Sequence, residues 1–327
     1  MSQTNSFRPV LLFAGQGCQE QGMGRQAAES SGEAMELWKL GEKASGLALR
    51  EIFWDGSDAD LSDTRALQPA LTITHINAWH MLKPHLEPLA AAGHSLGEFA
   101  ALAAAGVISP EAAVEISAVR GQLMADADPE GHGAMAALVR MDADGAARVL
   151  AETQESGCGE LVMANYNSPT QHVISGEAKA IEAACRVAKS MGGRGIRLKV
   201  SGAFHSPLMA EANKKLAQTL DRFQWNDPGF PVYANIDGQP VRSGAEARRA
   251  IGEQMISSVR WVDTVRNMND AGARWWIEIS PRAVLGKMLA ETLGDSGSSA
   301  SAMRIDLFNS PEQLAACACT GANLLRQ

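Results

Sequence analysis

The sequence has no apolar run long enough to cross a bilayer without charge, and its start, MSQTNSFRPV, lacks the basic region and apolar stretch of an export leader. Both absences make the cytoplasm the expected site of action and a membrane an unexpected partner. Cysteine is sparse. The five residues Cys18, Cys158, Cys185, Cys317 and Cys319 have no metal-ligand spacing, and an odd number argues against a disulfide framework. Reduced thiols fit the same compartment. Positive charge is also in deficit: a net charge of −8 opposes a phosphate backbone, so nucleic acid is not an expected partner. No internal repeat, low-complexity run or Pro/Ser-rich linker divides the chain, so a second domain has to be inserted into the first rather than strung after it.

What is present is the composition of a globular enzyme, with 46% hydrophobic and 20% charged residues in 327. A chain of that length buries a sizeable core. RPVLLFAG, PLAAAG, FPVYANIDG, WWIEIS and AMRID read as strands, with helices over residues 110–127 and 209–223 between them. That alternation predicts an α/β fold with a largely parallel sheet. From Gly133 the rhythm changes to strand, helix, strand, strand, helix, strand (GAMAALVRM, DADGAARVLAETQ, ELVMANYN, QHVISG, EAKAIEAACRVAKSM, GIRLKV). This is the order of a ferredoxin-like α+β unit. It places an inserted subdomain at residues 130–202, with the core on 1–129 and 203–327.

Gly93-His94-Ser95-Leu96-Gly97 matches a nucleophile elbow, a sharp strand-to-helix turn that lifts a serine above a sheet; the bland alternative is a plain turn. A serine hydroxyl needs a positioned base. Of seven histidines, His75, His80 and His172 lie in apolar elements where a satisfied structural ring is expected. His205 lies instead in the loop GAFHSP, where the insertion rejoins the core, and so is the candidate base. No acidic residue between it and Ser95 offers itself as a third member, which leaves a backbone carbonyl or an amide to orient the ring. In the 110–127 helix the apolar stripe runs through Ala112, Ile116, Val119 and Leu123, with Met124 extending it. At about 100° per residue, Arg120 projects into that stripe. It is either half of an internal ion pair or a clamp for an acidic substrate, since a guanidinium binds a carboxylate through two hydrogen bonds.

Together these residues resemble the malonyl-CoA:acyl carrier protein transacylase family, which includes acyltransferases of polyketide synthesis. The resemblance runs through FAGQGCQEQGMG, LQPAL, GHSLGEFAALAAAG, RGQLM, GHGAMAAL, NYNSP, GAFHSPLM, PVYANIDG, QMISSVRW and IEISPRAVL, nearly the whole chain. It implies an α/β-hydrolase-like core with an inserted ferredoxin-like subdomain. It also implies roles: Ser95 as nucleophile, His205 as its base, Arg120 as ligand of the malonyl carboxylate, and Gln16 with the Leu96 amide as oxyanion hole. Gln254 matches the position supporting the histidine, and Gln68, Asn165 and Asn167 match positions near the site. Malonyl would pass from coenzyme A to Ser95, then to the phosphopantetheine thiol of acyl carrier protein, with no permanently bound cofactor and no metal. A monomer serving fatty-acid synthesis is expected; a free-standing polyketide acyltransferase, a serine hydrolase on the same elbow and a catalytically silent binding module are the alternatives.

The chain departs from the family pattern at Cys18, where serine is usual, and at Ser280 and Arg282, where glycines are usual. The latter two require a turn that avoids or tolerates positive φ. Phe204 before the base, with Leu96 after the nucleophile, implies a narrow pocket and malonyl over methylmalonyl, a preference of about 1–3 kcal/mol for one methyl. Arg186, Lys189, Arg194, Arg197 and Lys199 form either a docking face for an acidic carrier protein or a solvated helix face.

Overall fold

Four consecutive apolar residues, Val10–Phe13, form strand β1, wholly buried in a computed structural model that describes residues 8–57, 59–295 and 304–308. Burial on both faces explains a continuous apolar run rather than an alternating one. Helices α1 (Arg25–Ser30), α2 (Gly32–Ser45) and α3 (Thr64–Leu82) lead to strand β2 (Ala90–Gly93). Helices α4 (Gly97–Ala104) and α5 (Pro110–Asp126) follow. Helix α5 starts where the expected pattern puts it, because the Ser109 hydroxyl accepts from the Ala112 amide and Pro110 fills the first turn.

A second unit then intervenes: β3 (Gly133–Val139), α6 (Ala143–Glu155), β4 (Leu161–Ser168), β5 (Gln171–Glu177), α7 (Ala178–Ser190) and β6 (Arg194–Arg197). The remaining elements are α8 (Ala210–Leu220), β7 (Val232–Tyr233), β8 (Pro240–Val241), α9 (Gly244–Gln254), α10 (Trp261–Asp270), β9 (Trp275–Ile279), α11 (Leu285–Asp295) and β10 (Arg304–Phe308). The sequence FPVYANIDG contributes only the two-residue β7, and GIRLKV only the first part of its expected length, as β6. Cys317 and Cys319 lie outside the described residues.

The first sheet has the order β10-β9-β1-β2-β7-β8, parallel throughout except that β8 runs antiparallel to β7. The second, β4-β5-β3-β6, is antiparallel. The fold is therefore mixed α/β with a parallel principal sheet. Strand β3 shows how the two units meet. Ala134, Ala136 and Leu138 join a small core with Ile174, Ile181 and Val149, whereas Met135 and Ala137, on the opposite face, join the main core. Strand β4 is stitched to the main unit by Tyr166 N to Val259 O (2.9 Å) and Val259 N to Ala164 O (2.8 Å). The face of the small sheet thus becomes a wall over the C-terminal edge of β1 and β2, where parallel α/β sheets gather their binding residues.

Candidate active site

Strand β2 ends at Gly93 and α4 begins at Gly97, so the chain reverses within three residues. Ser95 takes φ 50°, in the left-handed region that an L side chain rarely occupies. The flanking glycines are there for contact rather than for unusual dihedrals. A Cβ on Gly93 would lie 1.9 Å from the Gly97 carbonyl carbon, and one on Gly97 would lie 2.1 Å from the Phe13 oxygen. Asn235, just after β7, braces the turn from below: its Oδ1 accepts from the Ser95 amide (2.6 Å) and its Nδ2 donates to the Gly93 carbonyl (2.6 Å).

His205 also has a left-handed backbone, φ 57°, and its Nε2 lies 2.7 Å from Ser95 Oγ. Nδ1 faces two carbonyl oxygens, Gln254 O at 3.0 Å and Ser257 O at 3.1 Å. Carbonyls only accept, so Nδ1 carries the hydrogen and Nε2 is the acceptor for the serine proton. Orientation comes from backbone carbonyls, and among the described residues no carboxylate touches the ring. Burial, and then the positive charge of Arg120, push the imidazole down to about 3. The ring is therefore neutral at neutral pH.

Arg120 is buried, 1% exposed, at the centre of the inward face of α5. Ala113, Ser117, Gly121 and Met124 share that face, while Val119 and Leu123, expected in the stripe, are only half-buried. Among the described residues it makes no ion pair. Nη1 donates to Gln68 Oε1 (2.6 Å), and Nη2 donates to Gln254 Oε1 (3.0 Å) and to Ser95 Oγ (3.3 Å). The internal ion pair is thus replaced by two amides. Gly121 makes this reach possible, since a Cβ there would sit 2.8 Å from the Thr64 oxygen and 3.0 Å from Gln68 Cβ. Burial lowers the guanidinium to about 10, so it stays charged at neutral pH.

A cavity of about 220 Å³ opens on these groups. Gln16, Gln68, Ser95, Asn165, Asn167, Phe204 and His205 line it, with Met124, Met135, Val173, Leu198 and Met288 as apolar wall. Asn167 Oδ1 lies 2.8 Å from His94 Nε2, whose ring stands edge-on to Trp261. Of the residues expected at the site, Arg120 and Gln254 do not line the cavity but reach it through hydrogen bonds to Ser95, and the Leu96 side chain is buried in the main core. The Leu96 amide, by contrast, opens α4 beside Ser95 and has no protein hydrogen-bond partner among the described residues.

His75, expected as a satisfied core ring, is buried with neither nitrogen hydrogen-bonded among the described residues, His172 is buried with its ring edge-on to Tyr166, and His80 is exposed. Cys18 is buried, and its thiol is pushed up to about 12 by burial and then by Glu278, which makes it inert as a nucleophile. Ser280 and Arg282 avoid positive φ, as only Ser95, Arg140 and His205 adopt it among described non-glycine residues. The Ser280 hydroxyl lies 2.8 Å from Arg282 O and 3.0 Å from Glu278 Oε1, and Arg282 Nη2 donates to Gly17 O (2.7 Å).

Two residues at the site carried no sequence expectation. Asn235 sits inside a block read only as a strand. Glu98, 2% exposed, accepts from Gln254 Nε2 (2.6 Å) and the Asn235 amide (3.3 Å) through Oε2. Burial, only partly offset by these bonds and by Arg120, raises its carboxyl to about 7. The available signal was an acid in an otherwise apolar helix, GEFAALAA.

Comparison with known proteins identifies the family. The family described as "Acyl transferase domain" matches residues 10–309. The malonyl CoA-acyl carrier protein transacylase of Bacillus subtilis is 38% identical over 86% of this chain and 89% of its own length, and that of Haemophilus influenzae 36% over 88% and 92%. Among solved structures, an acyl carrier protein S-malonyltransferase of Vibrio cholerae superposes with a TM-score of 0.86 at 32% identity, covering 95% of this chain and 99% of that one. The malonyl-transacylase PlMCAT, solved with the type II PKS acyl-carrier protein AntF, gives 0.88 at 30%, covering 96% and 99%. With the family matched over nearly all of its length and such relatives across both sequence and structure, this chain belongs to the acyl transferase family, among the malonyl CoA-acyl carrier protein transacylases.

Proposed function

We propose that this protein transfers a malonyl group from malonyl-CoA to the phosphopantetheine thiol of acyl carrier protein, through an ester on Ser95. The observation that carries the reading is Arg120: a buried, charged guanidinium that contacts no carboxylate among the described residues, held beside the nucleophile. Glu98 acts on this charge without touching it, the Gln254 amide lying between them; a buried charge with no contacting carboxylate is costly, and the carboxylate of a malonyl group supplies one. A neutral ester supplies none, which argues against the hydrolase alternative.

In the first step the Ser95 hydroxyl attacks the thioester carbonyl as its proton passes to His205 Nε2. The two carbonyls at Nδ1 then stabilise the imidazolium, and the developing oxyanion is held by the Leu96 amide and Gln16. Return of the proton releases coenzyme A. In the second step the carrier thiol gives its proton to His205 and attacks the malonyl ester, expelling Ser95. Neither step requires a metal or redox cofactor. Phe204, from the loop bearing the base, narrows the cavity and favours malonyl over branched acyl groups.

The order β4-β5-β3-β6, with both helices crossing between strands, supports reading residues 130–202 as a ferredoxin-like insertion in an α/β-hydrolase-like core built from 1–129 and 203–327. Among the described residues no helix is long and apolar enough to cross a membrane. A cytoplasmic monomer acting in fatty-acid synthesis is part of the same proposal. Leu198 lines the cavity while Arg194, Arg197 and Lys199 around it are exposed, so the basic cluster stands at the mouth, where an acidic carrier would present its arm.

The test is intact mass after incubation with malonyl-CoA. A malonyl adduct that is absent in Ser95→Ala and discharged by carrier protein supports the transferase; discharge by water alone supports the hydrolase, and no adduct supports the silent module. Arg197→Glu with Lys199→Glu should raise the KM for carrier protein by about tenfold at low salt, with the difference shrinking as salt rises.

A further inference from the structure

Arg120 is held by two amides, and the two are not equivalent. Gln68 gives the guanidinium its Oε1, whereas Gln254 is fixed from its other end. Gln254 Nε2 faces two acceptors, Glu98 Oε2 at 2.6 Å and the Ser95 carbonyl at 3.0 Å. Turning that amide over would set its oxygen against a carboxylate and a carbonyl, and its NH2 against a guanidinium. Three favourable contacts would become three repulsive ones. The carboxylate of Glu98 therefore decides which atom Gln254 shows to Arg120. The first turn of α4 favours an acid, but that does not call for a buried one, and the other buried residues of the helix are Gly, Ala, Phe and Leu.

We propose that Glu98 is the positioning residue of the clamp: acting through Gln254, it fixes the presentation of the Arg120 guanidinium and so sets the preference for acyl groups bearing a free carboxylate. The inference rests on the transferase reading of the site. The groups facing Glu98 are the guanidinium of Arg120 from α5, the carboxylate of Asp237 from the loop after β7, the Gln254 amide from the end of α9, and the Asn235 backbone. Arg120 favours the ionised form and Asp237 opposes it. The Asn235 contact sets the rival explanation, because Asn235 also braces the elbow. A mere brace would affect every acyl donor alike, whereas a clamp discriminates between them.

The experiment follows acylation of Ser95 by malonyl-CoA and by acetyl-CoA in single turnovers, with steady-state KM and kcat alongside, for wild type, Glu98→Gln and Glu98→Ala, each also in a Gln254→Ala background. The background retains the main-chain carbonyl that orients His205. Loss of the carboxylate contact in Glu98→Ala should lower the malonyl-to-acetyl ratio about tenfold, mainly through KM for malonyl-CoA, with Glu98→Gln partly rescued because it keeps an acceptor. In the Gln254→Ala background the same substitutions should change the ratio by less than about twofold. An equal loss with both donors, or an undiminished effect without the Gln254 side chain, overturns the proposal. Should Glu98→Ala not fold, Glu98→Gln in the two backgrounds decides alone. Failure of the transferase reading is distinct, since wild type would then form no malonyl ester.

Discussion

Two buried histidines in this protein share an environment and differ in everything that makes chemistry. His205 and His75 are both pushed down to about 3, in each case chiefly by burial. His205 has a serine oxygen at one nitrogen and two carbonyls at the other. His75, on α3 beneath β1, has no hydrogen-bond partner at either among the described residues, packs against Phe13 at 5.8 Å between ring centroids, and borders a separate cavity of about 190 Å³. Low basicity is thus chiefly a mark of burial, not of function. The function of a ring follows from the donors and acceptors aimed at it.

The largest expected contrast comes from deleting each ring. His205→Ala should slow Ser95 acylation about 10³- to 10⁴-fold, the upper part of the range for a positioned general base. Rapid-quench measurement of malonyl-serine formation checks this, and a loss below about tenfold would show that the 2.7 Å contact is not the proton path. Arg120→Leu should come next, lowering acylation by malonyl-CoA about 100-fold while acetyl-CoA is affected less. It also sharpens the comparison: Arg120 contributes to the depression of His205 but does not act on His75, so its removal should raise the first ring's pKa and leave the second's alone. Histidine NMR titration of the variant reads both.

The sequence made the nucleophile, the base and the clamp legible because each breaks a local rule. Ser95 sits between glycines at a strand end, His205 in a loop at a domain junction, and Arg120 on an apolar face. The strand and helix alternation gave the mixed α/β fold for the same reason, since periodicity survives without tertiary knowledge. Asn235 and Glu98 were invisible because their roles are relational. Nothing in YANID or GEFAALAA says that an amide 140 residues downstream will cap the elbow, or that a glutamate will lock a glutamine from α9. Arg120 shows the boundary clearly: its inward direction was readable, but its reliance on two amides instead of an acid was set by packing, through the close approach that Gly121 allows.

His75 supplies the smallest effect on activity and the clearest on stability. Replacing it with leucine removes two unsatisfied buried nitrogens at similar volume, which should stabilise the protein by about 1 kcal/mol at neutral pH, while acylation stays within about twofold of wild type. The pH dependence follows from the depressed value. Because the folded-state pKa lies below the ordinary 6.5, the unfolded chain binds the proton first as pH falls. The stability this ring contributes is therefore complete above about 6.5 and is lost toward 3, at a slope of up to about 1.4 kcal/mol per pH unit. His75→Leu should flatten that decline, while the same contribution from His205 remains. Urea unfolding midpoints at pH 7.5 and pH 5 measure the difference. An unchanged slope would mean that His75 is not held neutral by burial, and the likeness between the two rings on which the comparison stands would fail.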